Sequence, residues 1–530
     1  MTFLVGAAAD YSGATNLLAH LQKATDGTGL KLCQMDSKSN KKELEEVANQ
    51  MMTSYFGKTP YTIEKLTPTS NPRTVEIETK ATYPTAVLRA FGPQYSEVPV
   101  VANARCVGEP QTFEIALVLD TTGSMNRSSG GKSKMDAMKE AATKFVDAIF
   151  DHPIMSKNAR MSLVPFAPSV ALPPSSSKNA SWLDQDGKAS HHWLGIQGGK
   201  AAASALGATN RFRAFDQLKA AQRDWDWTGC LESAGYPNNT QDAAPSSANP
   251  DSYYVPMWAP DVAGDGGQAY REVPPGSGKW LLSYNSYIDD SNSLGYCQPT
   301  TDEATRTGRT CKYVEVKNPK TSNGYIPTGP NASCTTRPLT RLTPSKPTLI
   351  NEIKALTPEG NTNIHEGFAW GWRTLSPKSV FNPDPAPYGK LFNNKVVVLM
   401  TDGMNTWGEN SMNPTTKSVY SAYGYFKNPD GSTPNNRLPP GNANPMNEAQ
   451  ARAAMDALTL ETCTNARKEN VMIYTVGFSV PGDLIDQKGL DLLKACAGSD
   501  SRAYVAGNAT EIVEVFEKIA QSIGNLRLTR

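Results

Sequence analysis

Residues 112–125, TFEIALVLDTTGSM, decide the fold. EIALVL is apolar at nearly every position, so neither face of the segment can be left in water. A run of that kind is expected to be a strand in a sheet covered by helices on both sides. It ends on Asp120, and Thr122 and Ser124 follow at spacings of two. Residues two apart in an extended turn point the same way. Three oxygen-bearing side chains are therefore offered together at the carboxyl end of a buried strand.

The neighbouring sequence continues this pattern. Residues 132–149 read as an amphipathic helix with Met135, Met138, Ala142, Phe145, Val146 and Ile149 as its inner stripe. RMSLVPF (160–166) is the next strand. Regular patterning stops at 172 and resumes near 345, with helices expected at 346–356 and 363–375 and a strand at KVVVLM (395–400). A helix at 447–469, a strand at 471–478, a helix at 487–496, the short strand RAYVA and a helix at 509–523 complete the series. Alternating strands and helices predict an α/β fold with a doubly wound, mainly parallel sheet. The domain would be built from residues 109–171 and 341–530, separated by 172–340. That stretch is rich in Ser, Pro, Gly, Asn and Trp and holds four cysteines. It is too long for a loop in a compact domain and reads as an inserted, disulfide-containing subdomain. Residues 404–444 read as a second, smaller insert. Ahead of the sheet domain, 1–32 read as a helix and 33–108 as a small α+β module.

Functional groups in doubly wound sheets gather at the carboxyl ends of the strands. Two later loops belong there: PEGNTN (358–363), which offers Thr362, and the TDG that follows KVVVLM, which offers Asp402. With Asp120, Thr122 and Ser124 they form a set of two carboxylates and three hydroxyls. An all-oxygen set suits a hard divalent cation, Mg²⁺ first, with Mn²⁺ or Ca²⁺ as alternatives. Gly123, Gly360 and Gly403 beside the ligands are expected to permit tight turns. Five protein groups, some acting through water, leave one coordination position for a carboxylate from a partner.

Composition narrows the function classes. The 530 residues suggest two to four domains. Against 52 basic residues stand 51 acidic ones, with no basic run, so there is no electrostatic case for nucleic-acid binding. The eight cysteines form no C-x-x-C pair, which argues against zinc. Disulfides in an oxidising compartment are the simplest reading, with buried thiols as the alternative. GGKS (130–133) lacks a phosphate-loop pattern because Asn126 stands where its first glycine must be. HEGFA (365–369) has Ala369 where a zinc protease needs histidine. DVAGDGGQAYRE (261–272) matches a calcium loop only in part. No residue set supports hydrolysis, so no enzymatic activity is expected.

DTTGSM, GNTN and LMTDG together resemble the metal-ion-dependent adhesion site of von Willebrand A (VWA) domains. The resemblance implies that Ser124, Thr122 and Thr362 contact the ion and that Asp120 and Asp402 act mostly through water. TGCLE (228–232), VPMWAPD (255–261), YNSY (284–287), GPNASC (329–334), LTRLTP (339–344), WGWRTLSP (370–377) and the closing FEKIAQSIGNLRLTR are not general VWA features. With LVGAAADYSGATNLLAHLQKATDGTGL near the start, they resemble TadG-like proteins of the tight-adherence (Flp) pilus assembly system. That resemblance implies an extracytoplasmic, envelope-located binding protein, anchored in the inner membrane by an apolar N-terminal helix of which MTFLVGAAA would be the end. It also implies a protein partner, a pilus or envelope component engaged through an acidic residue. Cys463 and Cys496 flank one strand in neighbouring helices, and the implied location favours a bridge between them over two thiols. Two other readings are a structural pilus-biogenesis component with a vestigial metal site and a VWA subunit of a chelatase-type ATPase machine.

Overall fold

The computed structural model describes the chain apart from residues 1, 36–38, 58, 71–72, 109–111, 153–154, 206, 263–268, 273–279, 283–284, 289–304, 306–307, 314–328, 382–383, 385, 391, 410–415, 429–435 and 526–530. The centre of the calcium-like stretch and Cys297 lie outside the described residues. Two compact units are present, one ending at Thr112 and one running from Phe113 to Asn525.

In the first unit, helices α1 (Thr2–Cys33) and α2 (Lys41–Phe56) accompany a three-stranded antiparallel meander of β1 (Tyr61–Ser70), β2 (Arg73–Pro84) and β3 (Glu97–Gly108). Leu21, Ala24, Met52, Ala81 and Ala102 close its core, and a Cys33–Cys106 disulfide ties the end of α1 to β3. Asp10, buried on α1, accepts the backbone N–H groups of Ala86, Val87 and Leu88, each at 2.8 Å. These bonds hold its carboxyl below the usual range. Among the described residues no helix is long and apolar enough to cross a membrane.

The second unit is mixed α/β around a six-stranded sheet. Its strands are β4 (Thr112–Asp120), β5 (Ala159–Phe166), β8 (Thr340–Thr343), β9 (Asn393–Thr401), β10 (Met472–Phe478) and β11 (Ala503–Ala506), with β6 (Ala269–Glu272) and β7 (Trp280–Leu282) forming a separate hairpin. The spatial order is β11-β10-β9-β4-β5-β8. β5 runs parallel to β4, β10 runs parallel to both β9 and β11, and β8 is an antiparallel edge. The chain leaves β4 towards one edge and returns on β9 to build the other. The switch point therefore lies between β4 and β9, where ligand sites form in doubly wound sheets.

Alternation along β4 divides its side chains between two cores. Ala116 and Val118 face one, while Phe113, Ile115, Leu117 and Leu119 face the other. The second face is covered by α3 (Lys134–Phe150), with α7 (Lys346–Lys354) and α11 (Ala509–Asn525) beside it. The first is covered by α8 (Ile364–Leu375), α9 (Glu448–Lys468) and α10 (Gln487–Ala497). The Cys463–Cys496 disulfide joins α9 to α10.

Every residue of α8 is buried, because a further layer covers its outer side. That layer comes from the long stretch after β5, which holds helices α4 (Pro174–Ser177), α5 (Gly199–Ala205) and α6 (Arg211–Ala221). Its Trp225, Trp227, Tyr254, Trp258 and Tyr287 belong to the same core as Val118, Phe166 and Trp370. The stretch thus packs onto the sheet domain's own helix layer, and the Cys230–Cys334 bridge lies within it. Cys311 is also disulfide-bonded.

Helix α8 meets the sheet through glycines. A β-carbon at Gly371 would lie 2.4 Å from Val118 Cγ2, and one at Gly367 would lie 2.5 Å from the Phe166 ring. Gly371→Ala is expected to destabilise the domain. Overpacking costs about 1–3 kcal/mol, whereas helix propensity returns only about 1 kcal/mol. Urea unfolding measures the change, and unaltered or raised stability would refute the close approach.

Three histidines are buried in and under the added layer. Burial and Arg437 push His191 down to about 3, and burial with Arg373 does the same to His365. His192, bonded to Asp184 at 2.9 Å, is also lowered by burial. Their folded values lie below the unfolded value near 6.5. Protons therefore bind the unfolded chain preferentially, and stability falls as pH drops below about 6.5. Each such histidine removes up to about 1.4 kcal/mol per pH unit. Thermal melting in chelator should show a marked fall in midpoint between pH 7 and pH 5. A flat profile would contradict the neutral, buried assignment.

Candidate metal-ion site

Asp120 is the last residue of β4 and Thr401 the last of β9. Their side chains touch across the switch point: Thr401 Oγ1 donates to Asp120 Oδ2 at 2.6 Å. On its other oxygen Asp120 accepts from Thr122 N at 2.8 Å and from Thr122 Oγ1 at 2.6 Å. Thr122 Oγ1 and Ser124 Oγ lie 3.0 Å apart, and Ser124 Oγ donates to Asp402 Oδ1 at 2.7 Å. Asp120, Thr122, Ser124 and Asp402 thus converge in one hydrogen-bonded row, although Asp402 lies far away in sequence.

Thr362 is brought in by loop-to-loop bonds. Glu359 N donates to Thr121 O and Gly123 N to Gly360 O, both at 2.9 Å, which joins the second loop to the first. Thr362 N donates to Thr406 Oγ1, and Thr406 N donates to Thr362 O, both at 2.8 Å, which joins it to the third. A β-carbon on Gly403 would lie 3.9 Å from Thr362 Oγ1, so that buried hydroxyl stands beside Gly403, the residue after Asp402. It makes no hydrogen bond among the described residues. Of the three glycines expected to shape the turns, only Gly360 has positive φ, at 89°. A side chain there would also strike Pro168 and the Thr335 hydroxyl. Gly123 and Gly403 need no such freedom.

The row is short of positive charge. Three oxygen–oxygen contacts link Asp120, Thr122, Ser124 and Asp402, but the two hydroxyls supply only two protons. With both carboxylates ionised, one contact has lone pairs on both sides. Either a further proton or a cation must make up the deficit. Burial pushes the Asp120 carboxyl up to about 7, with the charge of Asp402 adding to the effect. Burial also raises Asp402, against the pull of Lys134 and Ser124. Asp120 has no cation against it among the described residues, whereas Asp402 has one, Lys134, and the remaining donors of the row are all oxygen. Among the described residues no group of three or more His, Cys, Asp or Glu could hold a metal. The donor set present, hard oxygens with only two carboxylates, fits Mg²⁺ better than a softer ion.

One feature was not read from the sequence. Lys134, at the start of α3, is wholly buried and donates to Asp402 Oδ2 at 2.9 Å. Its ammonium also contacts Asp483, on the loop after β10, and Arg127 bridges to the same carboxylate. Lys134 falls outside the apolar stripe expected for this helix, and no spacing rule marks a lysine there as buried. His365, by contrast, is a core residue: its Nδ1 lies 2.7 Å from Tyr423 Oη.

No protein-family model matches this chain, and no curated protein shows significant similarity to it. Among solved structures it is similar to the vWF domain of the type V pili tip protein Mfa5 from Porphyromonas gingivalis, with a TM-score of 0.34 and 11% identity, covering 80% of this chain and 98% of that one. It is similar to the pilus adhesin SpaC from Lactobacillus rhamnosus GG, with a TM-score of 0.33 and 12% identity, over 88% of this chain but only 35% of that one. The PilB minor pilin from Streptococcus sanguinis gives a TM-score of 0.32 and 12% identity, over 88% and 78% of the two chains. At TM-scores this low the likeness carries no weight for function.

Proposed function

We propose that this chain is a non-enzymatic, metal-dependent binding protein of the cell envelope, acting in Flp-type pilus assembly and surface adherence. The observation that carries the metal reading is the proton deficit in the row Asp120–Thr122–Ser124–Asp402. Ser124, Thr122 and Thr362 would hold Mg²⁺, and Asp120 and Asp402 would orient them and act through water. When bound, the ion supplies a Lewis-acidic position for an acidic residue of a protein partner. Around it, Asp120 fixes the first loop through Thr122 N, and Thr401 fixes Asp120 to β9.

The envelope reading is supported by the disulfides, which persist in oxidising compartments. The pilus reading rests on the motif resemblance to TadG-like proteins, as does anchoring by an apolar N-terminal helix. Calorimetric titration of chelator-treated protein with Mg²⁺ tests the site: one ion per chain is expected, with Thr362→Val weakening it. Absence of binding heat in the native chain, with no Mg²⁺-dependent shift in melting, would remove the metal reading.

One observation favours a second reading. Lys134 already provides a positive charge to Asp402. A structural pilus-biogenesis component that no longer takes up an ion is compatible with that bond, and then Asp120→Ala would leave adherence and pilus number unchanged.

A further inference from the structure

Lys134 is an unusual residue to find without water. A buried ammonium needs hydrogen-bonding partners for its charge, since isolated charge is very costly to desolvate. Its partners here are Asp402 Oδ2, at 2.9 Å, and Asp483. Asp402 is thereby held between two groups, with Ser124 Oγ on Oδ1 and Lys134 Nζ on Oδ2. Arg127, 63% exposed, completes the set by bridging to Asp483 from the solvent side.

We propose that Lys134 is a built-in counter-cation: a positioning residue that stands in for the divalent ion when none is bound, opposes it when it binds, and so keeps the site's affinity low. This rests on the metal reading given under Proposed function. Lys134 and Arg127 pair with Asp402 and Asp483, and with every carboxylate ionised Asp120 adds an excess of one negative charge beside them. A divalent ion turns that into an excess of one positive charge. Lys134 therefore attracts its surroundings in the ion-free protein and meets like charge in the ion-bound one. Both effects lower affinity, since one stabilises the ion-free state and the other destabilises the ion-bound one, and Coulomb energies in a partly desolvated site are large enough to be measured. Asp483 acts in the opposite sense. It adds negative charge near the ion and takes up a share of the Lys134 ammonium that would otherwise fall wholly on Asp402.

The inference is directional. Lys134→Met keeps the length of the side chain and removes its charge. In chelator this variant should melt at a lower temperature than the native protein. Its Mg²⁺-induced rise in melting temperature should be larger than the native one, and its calorimetric Kd about tenfold tighter. Asp483→Asn should shift Kd the other way, weakening Mg²⁺ by about tenfold. If Lys134→Met fails to fold without the ion, Asp483→Asn carries the test. Affinity that is unchanged or weaker in Lys134→Met, or unchanged or tighter in Asp483→Asn, would overturn the counter-cation role while leaving the metal site standing. Loss of Mg²⁺ binding in the native chain itself would instead remove the reading on which the role rests.

Discussion

Asp120→Asn is expected to weaken Mg²⁺ binding by about 10–100-fold, the range seen when a group that orients metal ligands is lost. The fold should persist. Asparagine keeps the volume, and its oxygen can still accept from Thr122 N and Thr122 Oγ1. Its amide would face Thr401 Oγ1, whose own proton can turn towards Gly403 O, 3.4 Å away. The ion-free variant should be as stable as the native protein or more so. The native carboxylate is raised to about 7 by burial and by Asp402, so its charge is a burden when no cation is present. A purely structural Asp120 predicts the reverse pair of results, with lower stability and no role in ion affinity. Calorimetry and melting in chelator, done on the same preparation, separate the two.

The second large effect is expected far from the ion. Glu232, in the stretch after β5, is fully buried between two fully buried arginines, Arg211 at 2.7 Å and Arg437 at 2.5 Å, and it also accepts from Tyr420. Arg211 opens α6, whereas Arg437 and Tyr420 belong to the segment between β9 and α9. Removing one partner of a buried ion pair costs about 3–5 kcal/mol, because the remaining charge is left uncompensated in a poorly polarisable interior. Glu232→Ala leaves two such charges, so its cost should lie at the upper end of that range. Urea unfolding measures the loss, and limited proteolysis should show first cuts in 172–340 or 404–444. A change below about 1 kcal/mol would mean that the added layer is not held by this cluster.

These two sites were unequally legible in the sequence. EIALVL and KVVVLM announced buried strands because both faces of each are apolar, and the structure divides their side chains between two cores. The loops carrying Asp120 and Asp402 followed from the rule that strand ends hold the site, whereas the loop carrying Thr362 joins two helices and was marked by its hydroxyl and glycine alone. The structure joins Asp120, Thr122, Ser124 and Asp402 in one hydrogen-bonded row and ties the backbone of the Thr362 loop to the loops on either side. Glu232 and Lys134 were not legible, since a charged residue in a polar stretch ordinarily lies in water. The layer over α8 was equally opaque. Trp225, Tyr254 and Trp258 follow neither helical nor strand periodicity, so nothing in their spacing says that they cover a helix already facing the sheet. The edge strand β8 is four residues long and half-buried throughout, too short for alternation to register.

The central claim is that the oxygens gathered between β4 and β9 hold one divalent ion. Anomalous diffraction from crystals of the full chain soaked in Mn²⁺ tests it most directly. The expected result is one strong peak within bonding distance of Ser124 Oγ and Thr362 Oγ1, with Asp120 and Asp402 reached through water. No peak at that position, with Thr122 and Ser124 still facing one another and Lys134 still on Asp402, would contradict it.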